Sequence, residues 1–453
     1  MKTIRTFFAC LACRLTRAAL HLLGRGGTAV PGKAALRLYP GLLKELGKRV
    51  DTVLVTGTNG KSTTVGMLRH MLDKTGIPYF SNPSGANVIS GIATDYVNSS
   101  SLFGKPKAPL AVIECDEGHL AAVAAALQPK AIVVTNLFQD QVDRLGGAEH
   151  TRDLILDGIA RAENAVLCLN ADCSLTASLG LRSKHRAVYF GTGEGVGLGD
   201  EEESFACPVC GKPLAYRRRV YAHLGEWYCP DCGAARPAPE FLISAYQAAP
   251  EGGSSLTMET PEGALLLHLA LPALYNAYNA AAALSCAHVM GWGTADCAAA
   301  LADFGAVFGR METMTVGETP VQIILVKNPA GFNRALEHIA TEPRDFLPIF
   351  CLNDNTGDGK DISWIRDVRF EKFLTMHDFA AIGVYGTRAA ELKDRLGEAG
   401  AAEDRVTVYA SADELGDAVK AAGKPVYVLP NYTAMLTVRD KLSVLAGGGK
   451  FWE

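Results

Sequence analysis

The stretch Thr56-Gly57-Thr58-Asn59-Gly60-Lys61-Ser62-Thr63 restricts the fold of this chain more than any other feature. It joins a β-rich run, Asp51-Thr-Val-Leu-Val55, to a helical stretch over Ser62–Thr75. Glycines in such a turn let the backbone wrap an anion with its N–H dipoles, and the following helix adds its N-terminal dipole. Lys61 supplies a point charge for β/γ-phosphates, and the Ser62 hydroxyl can bind Mg²⁺. The longer form of this loop places a glycine where Val55 stands, so this is a shorter variant. A strand–loop–helix of this kind implies a nucleoside triphosphate site, ATP being the usual occupant.

The surrounding pattern agrees with a doubly wound α/β domain. Leu110-Ala-Val-Ile-Glu114, Ala131-Ile-Val-Val-Thr135 and Ala165-Val-Leu-Cys-Leu169 read as buried parallel strands, and helical stretches such as Leu120–Ala126 follow. Tyr275–Met290 reads as an Ala-rich helix. A second α/β unit, Rossmann-like, has strands expected at Val321–Val326, Phe346–Leu352, Ala380–Val384 and Pro425–Leu429. The expected division is a helical segment at 1–50, an ATP-binding domain at 51–314 and a C-terminal domain at 315–453.

A cysteine module interrupts the first domain. Cys207-Pro-Val-Cys210-Gly and Cys229-Pro-Asp-Cys232-Gly are two knuckles with 18 residues between them. Four thiolates at this spacing close a tetrahedral structural Zn²⁺ site with no open position for substrate. The expected zinc ribbon covers about 205–235, entered through a surface linker at 191–204. His223 lies between the knuckles and is expected at the surface, since four sulfurs already satisfy the ion.

Composition narrows the rest. A net charge of −4 gives no sign of a nucleic-acid binder. Twelve cysteines, four of them at metal spacing, fit a reducing cytoplasm with one metal site. At the N-terminus, Phe7–Cys13 is an apolar run closed by Arg14, too short for a membrane span. Leu11, Leu15, Ala18, Ala19 and Leu22 recur at helical spacing beside Arg14 and Arg17. That stripe reads as a helix packed on the protein body, with a membrane-surface helix as the second reading.

In the second unit, the strand at 346–352 runs into Asn353-Asp354-Asn355-Thr356-Gly357-Asp358-Gly359-Lys360-Asp361-Ile362-Ser363-Trp364-Ile365. Polar loops at the carboxyl ends of strands are where α/β sites form. Asp354, Thr356, Asp358 and Gly359 fit the start of a calcium loop, but Ile365 stands where its final Glu belongs. A helix-capping turn and a catalytic carboxylate remain the two readings.

The loop TGTNGKST resembles that of Mur ligases and folylpolyglutamate synthases, and further pieces follow in that family's order. Glu114 resembles its Mg²⁺-binding acid. Thr135-Asn136, with Asp140 and Asp143, resembles its TNxxxDHxD segment, with Gln141 in place of His. Asn276 and Asn279 resemble the HNxxN helix that meets adenine, with Tyr275 replacing His. Gly309-Arg310-Met311-Glu312 resembles the GRxE segment whose Arg faces phosphate. The resemblance implies ATP and Mg²⁺ at Gly57, Thr58, Asn59, Gly60, Lys61, Ser62, Thr63, Glu114, Asn136, Asn276, Asn279 and Arg310. Mur ligases carry a domain for a UDP-linked substrate ahead of this loop, and with the loop at residue 56 a soluble UDP-muropeptide is not the expected substrate.

The Cys₄ insertion, KNPAG at 327–331, LNDN…DGKDISWI at 352–365, GTRAAEL at 386–392 and PNYT at 430–433 resemble the MurT family of Mur ligase-like proteins. That resemblance implies the ligase half of a lipid II isoglutaminyl synthase, with a GatD-type glutaminase as partner in a heterodimer. It implies ATP-dependent amidation of the D-glutamate α-carboxylate in the lipid II stem peptide, in the cytoplasm at the inner membrane face. Asp361 matches the acid that completes the partner's Cys–His pair, and Asp358 is its neighbouring competitor. The family's WIWD is Trp364-Ile365-Arg366-Asp367 here. Two other readings are a stand-alone ligase that adds an amino acid and a non-catalytic ATP-binding regulator.

Overall fold

Val53, Leu54 and Val55 are wholly buried, which only a strand covered on both faces allows. They form β1 (Asp51–Thr56), the inner strand of a nine-stranded sheet. The computed structural model describes residues 2–22, 28–82, 86–139, 147–197, 205–249, 253–305, 310–355 and 358–448. These fall into two compact units, one within Met1–Leu137 and Ala148–Gly305, the other within Phe138–Gly147 and Ala306–Glu453.

The first unit continues with β2 (Tyr79–Ser81), β3 (Leu110–Glu114), β4 (Ala131–Val134), β5 (Val166–Asn170) and β6 (Ala187–Thr192). A hairpin of β7 (Ala215–Tyr221) and β8 (Leu224–Tyr228) comes next, then β9 (Phe241–Ala248), β10 (Ser254–Thr260) and β11 (Gly263–Leu269). The sheet order is β11-β10-β9-β6-β5-β4-β1-β3-β2. It is parallel from β2 to β9 and closes with an antiparallel meander. Val53 pairs with Val112 on one side and Ala131 on the other, so the ends of β1, β3 and β4 lie side by side. The helix Leu274–Met290 is buried almost all round, its alanines allowing close approach to the sheet and to the helix Lys61–Thr75.

Two sequence expectations change here. Gly191 and Thr192 belong to β6 and are buried, so the expected surface linker does not begin at 191; Glu194, Gly195 and Gly197 beyond them are exposed, Val196 is buried, and residues 198–204 lie outside the described residues. The helix Lys2–Leu22 does pack on the body, but through Thr6, Ala9, Cys10 and Cys13 rather than the leucine stripe. Small side chains let its backbone come close, and the larger ones are left on the opposite face.

The second unit holds β12 (Arg310–Val316), β13 (Thr319–Ile324), β14 (Leu347–Cys351), β15 (Ile382–Tyr385), β16 (Val406–Tyr409) and β17 (Val426–Pro430). Their order is β12-β13-β17-β14-β15-β16, with only β12 antiparallel to its neighbour. Successive residues of β14 alternate faces: Phe350 joins an aromatic cluster with Phe332, Phe346, Phe370, Phe373 and Phe379, whereas Ile349 and Cys351 join Val438, Met435 and Leu415. Both faces are covered, as a parallel sheet requires.

Candidate phosphate site, thiolate cage and acidic loop

The loop between β1 and the helix Lys61–Thr75 turns on two glycines at positive φ, Gly57 at 118° and Gly60 at 86°. A Cβ on Gly60 would lie 2.1 Å from Asn279 Oδ1, so only glycine fits. The end of β4 pins the loop. Thr58 N–H donates to Asn136 O (2.8 Å), Asn59 N–H donates to Asn136 Oδ1 (3.0 Å), and Thr135 Oγ1 donates to Asn59 O (2.6 Å). Asn136 is thus a scaffold residue for the loop, and Asn276 and Asn279 are buried on the helix packed against it.

Two ionic contacts lie at the helix start. Lys61 Nζ is 2.7 Å from Glu117 Oε1 and also donates to Gly57 O. Burial alone would lower the lysine's pKa, but Glu117 and Glu114 outweigh it, so the net shift is upward and Lys61 stays charged. Ser62 Oγ donates to Glu114 Oε2 at 2.5 Å. Asn82 fixes the Glu114 backbone in both directions, donating to its carbonyl (2.8 Å) and accepting from its N–H (2.9 Å). Ser62 and Glu114 present the hard oxygen donors that Mg²⁺ takes. Sequence reasoning missed Glu117 and Asn82. The run of acids Glu114, Asp116 and Glu117 directly after a buried strand was the available signal, since all three are buried.

The four module sulfurs converge, every one within 4.8 Å of the others. Cys207 Sγ to Cys232 Sγ is 3.6 Å and Cys210 Sγ to Cys229 Sγ is 3.5 Å. Tetrahedral Zn–S bonds imply S···S separations of about 3.8 Å, so the cage has the size of a zinc site. It is anchored to the first unit: the buried Trp227 indole donates to Ala171 O at 2.9 Å, and Arg236 pairs with the buried Asp172 at 2.5 Å. Asp172 also accepts from Tyr278 and Thr192. His223 is not at the surface as expected. It is fully buried, 3.5 Å from Cys173 Sγ and edge-on to Phe205. Burial lowers its pKa to about 3, so it is a neutral core residue of the module.

The acidic loop leaves the carboxyl end of β14. Gly386, at φ 116°, lets the chain after β15 pass within a Cβ's reach of Leu352 O. Asn353 then accepts from Thr387 N–H and donates to Thr433, and Asn431 ties Asn353 N–H and O to the end of β17. Asp354 is held by Thr387, Arg388 and Lys360. Asp358 is engaged inward, accepting from Thr433 N–H (2.9 Å) and its hydroxyl, and burial raises its pKa. Asp361 is exposed. Its carboxylate accepts from Ser363 N–H at 2.8 Å, and the Ser363 bonds hold its pKa below the usual range. Asp361, the match by resemblance, and its competitor Asp358 therefore differ in setting: Asp358 builds the loop, whereas Asp361 presents an ionised carboxylate outward.

Arg310 belongs to β12, pairing with Ile324. Asp140, Gln141, Asp143 and Gly309 lie outside the described residues.

Residues 55–203 match the family model of the Mur ligase middle domain, and residues 325–435 match that of the MurT ligase C-terminal region. The chain is 34% identical over 445 residues to the Streptococcus pneumoniae protein named lipid II isoglutaminyl synthase (glutamine-hydrolyzing) subunit MurT, covering 97% of each chain. A Staphylococcus aureus protein of the same name is 31% identical, covering 99% of this chain and all of that one. A solved pseudomurein peptide ligase type C from Methanothermus fervidus superposes with a TM-score of 0.69 at 20% identity, covering 91% of this chain and 84% of that chain, which shows the shared fold. The phosphate loop, the inserted Cys₄ cage and the acidic loop after β14 lie within a likeness that runs from end to end, and the chain belongs to the MurT family of Mur ligase-like proteins.

Proposed function

We propose that this chain is the ligase subunit of a lipid II isoglutaminyl synthase, converting the α-carboxylate of D-glutamate in the lipid II stem peptide to an amide. The single observation that carries this reading is near-complete alignment, at 34% identity, with a protein bearing that name. The phosphate-loop geometry supports it. A carboxylate is a poor electrophile, and transfer of the ATP γ-phosphoryl to its oxygen gives an acyl phosphate and ADP. Ammonia then forms the C–N bond, phosphate leaves, and the nitrogen loses a proton.

The chain's own residues supply position and charge. Lys61 exchanges Glu117 for the β/γ-phosphates. Ser62 and Glu114 would hold Mg²⁺, which neutralises phosphate charge when bound. Gly57, Thr58, Asn59, Gly60 and Thr63 wrap the phosphates, and Asn276 and Asn279 face the adenosine side. Zn²⁺ in the cage of Cys207, Cys210, Cys229 and Cys232 is structural.

At neutral pH free ammonia is mostly ammonium, which has no lone pair to attack with. A GatD-type glutaminase partner delivers ammonia directly, and Asp361 orients its catalytic His as the third member of a triad does. The outward, ionised state of Asp361 suits that role.

The test is product mass after incubation of lipid II, ATP and glutamine with the chain and its glutaminase. Exchange of one hydroxyl for one amino group, requiring both chains, supports the reading. Addition of a whole amino acid by this chain alone contradicts it and favours the stand-alone ligase.

A further inference from the structure

The helix Lys2–Leu22 has two apolar faces, and only one is used. Thr6, Ala9, Cys10 and Cys13 pack inward. On the opposite side Ile4, Phe8, Leu11, Leu15, Ala18 and Leu22 follow one another in alternating steps of four and three, the period of a single helical stripe. Four of its five large members are open to solvent, Ile4 by 62%, Phe8 by 58%, Leu15 by 61% and Leu22 by 90%, and Leu11 is half-buried. Phe103, 67% exposed, extends the patch from a neighbouring turn, its ring 5.3 Å from that of Phe7. A helix that hides its small residues and shows its large ones is inverted relative to an ordinary surface helix. An exposed apolar stripe of this kind marks an interaction site.

The charges around the stripe are of one sign. The helix contains Lys2, Arg5, Arg14 and Arg17 and no acid. Across residues 1–50 there are ten Lys and Arg against one acid, Glu45, in a chain whose net charge is −4. Arg5 and Arg14 border the stripe on its two sides, and Lys105 is exposed two residues beyond Phe103. Arg14 also ties the helix to the body by donating to Val97 O and Ser100 O, so the stripe is held in a fixed orientation. No helix among the described residues is long and apolar enough to cross a membrane.

We infer that this face is an interfacial docking helix for an anionic phospholipid surface. The stripe enters the headgroup–acyl boundary while the exposed cations beside it, Arg5 and Lys105, meet lipid phosphates. The charge imbalance selects this occupant: a second copy would bring two strongly basic segments together, and a neutral apolar protein partner would leave the cations unused. The inference rests on the helix itself and stands independently of the ligase reading.

The test is cosedimentation of the full chain with vesicles of phosphatidylglycerol and phosphatidylcholine, against phosphatidylcholine alone. The expected result is binding to the anionic vesicles that weakens as salt rises, and at least about ten-fold less binding for the doubly substituted Phe8→Asp, Leu15→Asp chain. Both positions are exposed, so the melting temperature should hold. A Phe8→Trp chain should blue-shift its fluorescence on anionic vesicles, which decides the matter even if the double variant folds poorly. Three results would overturn the inference: no partition onto anionic vesicles, equal partition of the Asp variant, or a Phe8-dependent dimer in solution without vesicle binding.

Discussion

The phosphate loop and the acidic loop after β14 place carboxylates in opposite circumstances. At the phosphate loop, Glu117 meets Lys61 and Glu114 meets Ser62, each acid buried, each partner half-buried and supplied by the same chain. At the acidic loop, Asp358 is locked to Thr433, but Asp361 points outward, ionised and held only by the turn of Ser363. The first arrangement keeps charges ready for a ligand that will displace an internal partner. The second keeps a charge ready for a group that another chain brings. Buried pairs are costly to break from one side, whereas an exposed carboxylate adds little to stability and is retained for what it contacts.

Lys61→Ala should give the largest effect. Loss of the phosphate-facing cation should lower ATP turnover by about 10³-fold or more, roughly 4 kcal/mol of transition-state stabilisation. Turnover within ten-fold of wild type would break the account of the phosphate loop. Glu117→Gln should lower the unfolding free energy of the nucleotide-free chain by about 3 kcal/mol, because it strands a buried cation. Saturating ATP should recover part of that loss, since phosphate takes the carboxylate's place. Denaturant melts with and without ATP check this. If ATP recovers nothing, Lys61 does not exchange Glu117 for phosphate.

Cys229→Ser probes a third kind of internal pairing. Zinc content should fall to background, with a loss of roughly 2–3 kcal/mol as Trp227 and its neighbours loosen. Unchanged metal content would contradict the cage.

Asp95 sharpens the comparison at the smallest scale. Burial raises its carboxyl to about 7, against the pull of Arg17. The folded chain therefore keeps a proton that the unfolded chain releases from about pH 4, so stability falls as pH rises from about 4 to 7. Asp95→Asn should add about 1–2 kcal/mol at pH 8 and nothing near pH 4, read from melts across that range. An equal gain at both values would show that the carboxylate is not paying a burial cost.

The sequence made these regions legible to different depths. Gly57, Gly60 and Lys61 were readable because a left-handed turn before a helix admits few residues. The four cysteines were readable from spacing. Glu117 was not, because its role depends on where Lys61 folds back, 56 residues away in sequence. His223 was misplaced because ligand counting ignores the apolar pocket of Phe205 and Cys173. The N-terminal stripe was assigned inward because hydrophobic period alone does not say which apolar face meets the body. The β9–β11 meander went unread, its pairings resting on turns that lack a strong hairpin signature. Asp361 was favoured by resemblance alone, and the different setting of Asp358 was not legible, because it depends on Thr433, 75 residues beyond it.

The most direct test of the central claim is amidation of lipid II by Asp361→Asn paired with its glutaminase, fed either glutamine or free ammonia. The account predicts that glutamine-driven amidation is lost while ammonia-driven amidation continues near the wild-type rate. Amidation from glutamine at the wild-type rate would contradict the role of Asp361, and failure with ammonia as well would place this residue in the ligase reaction itself rather than at the partner's site.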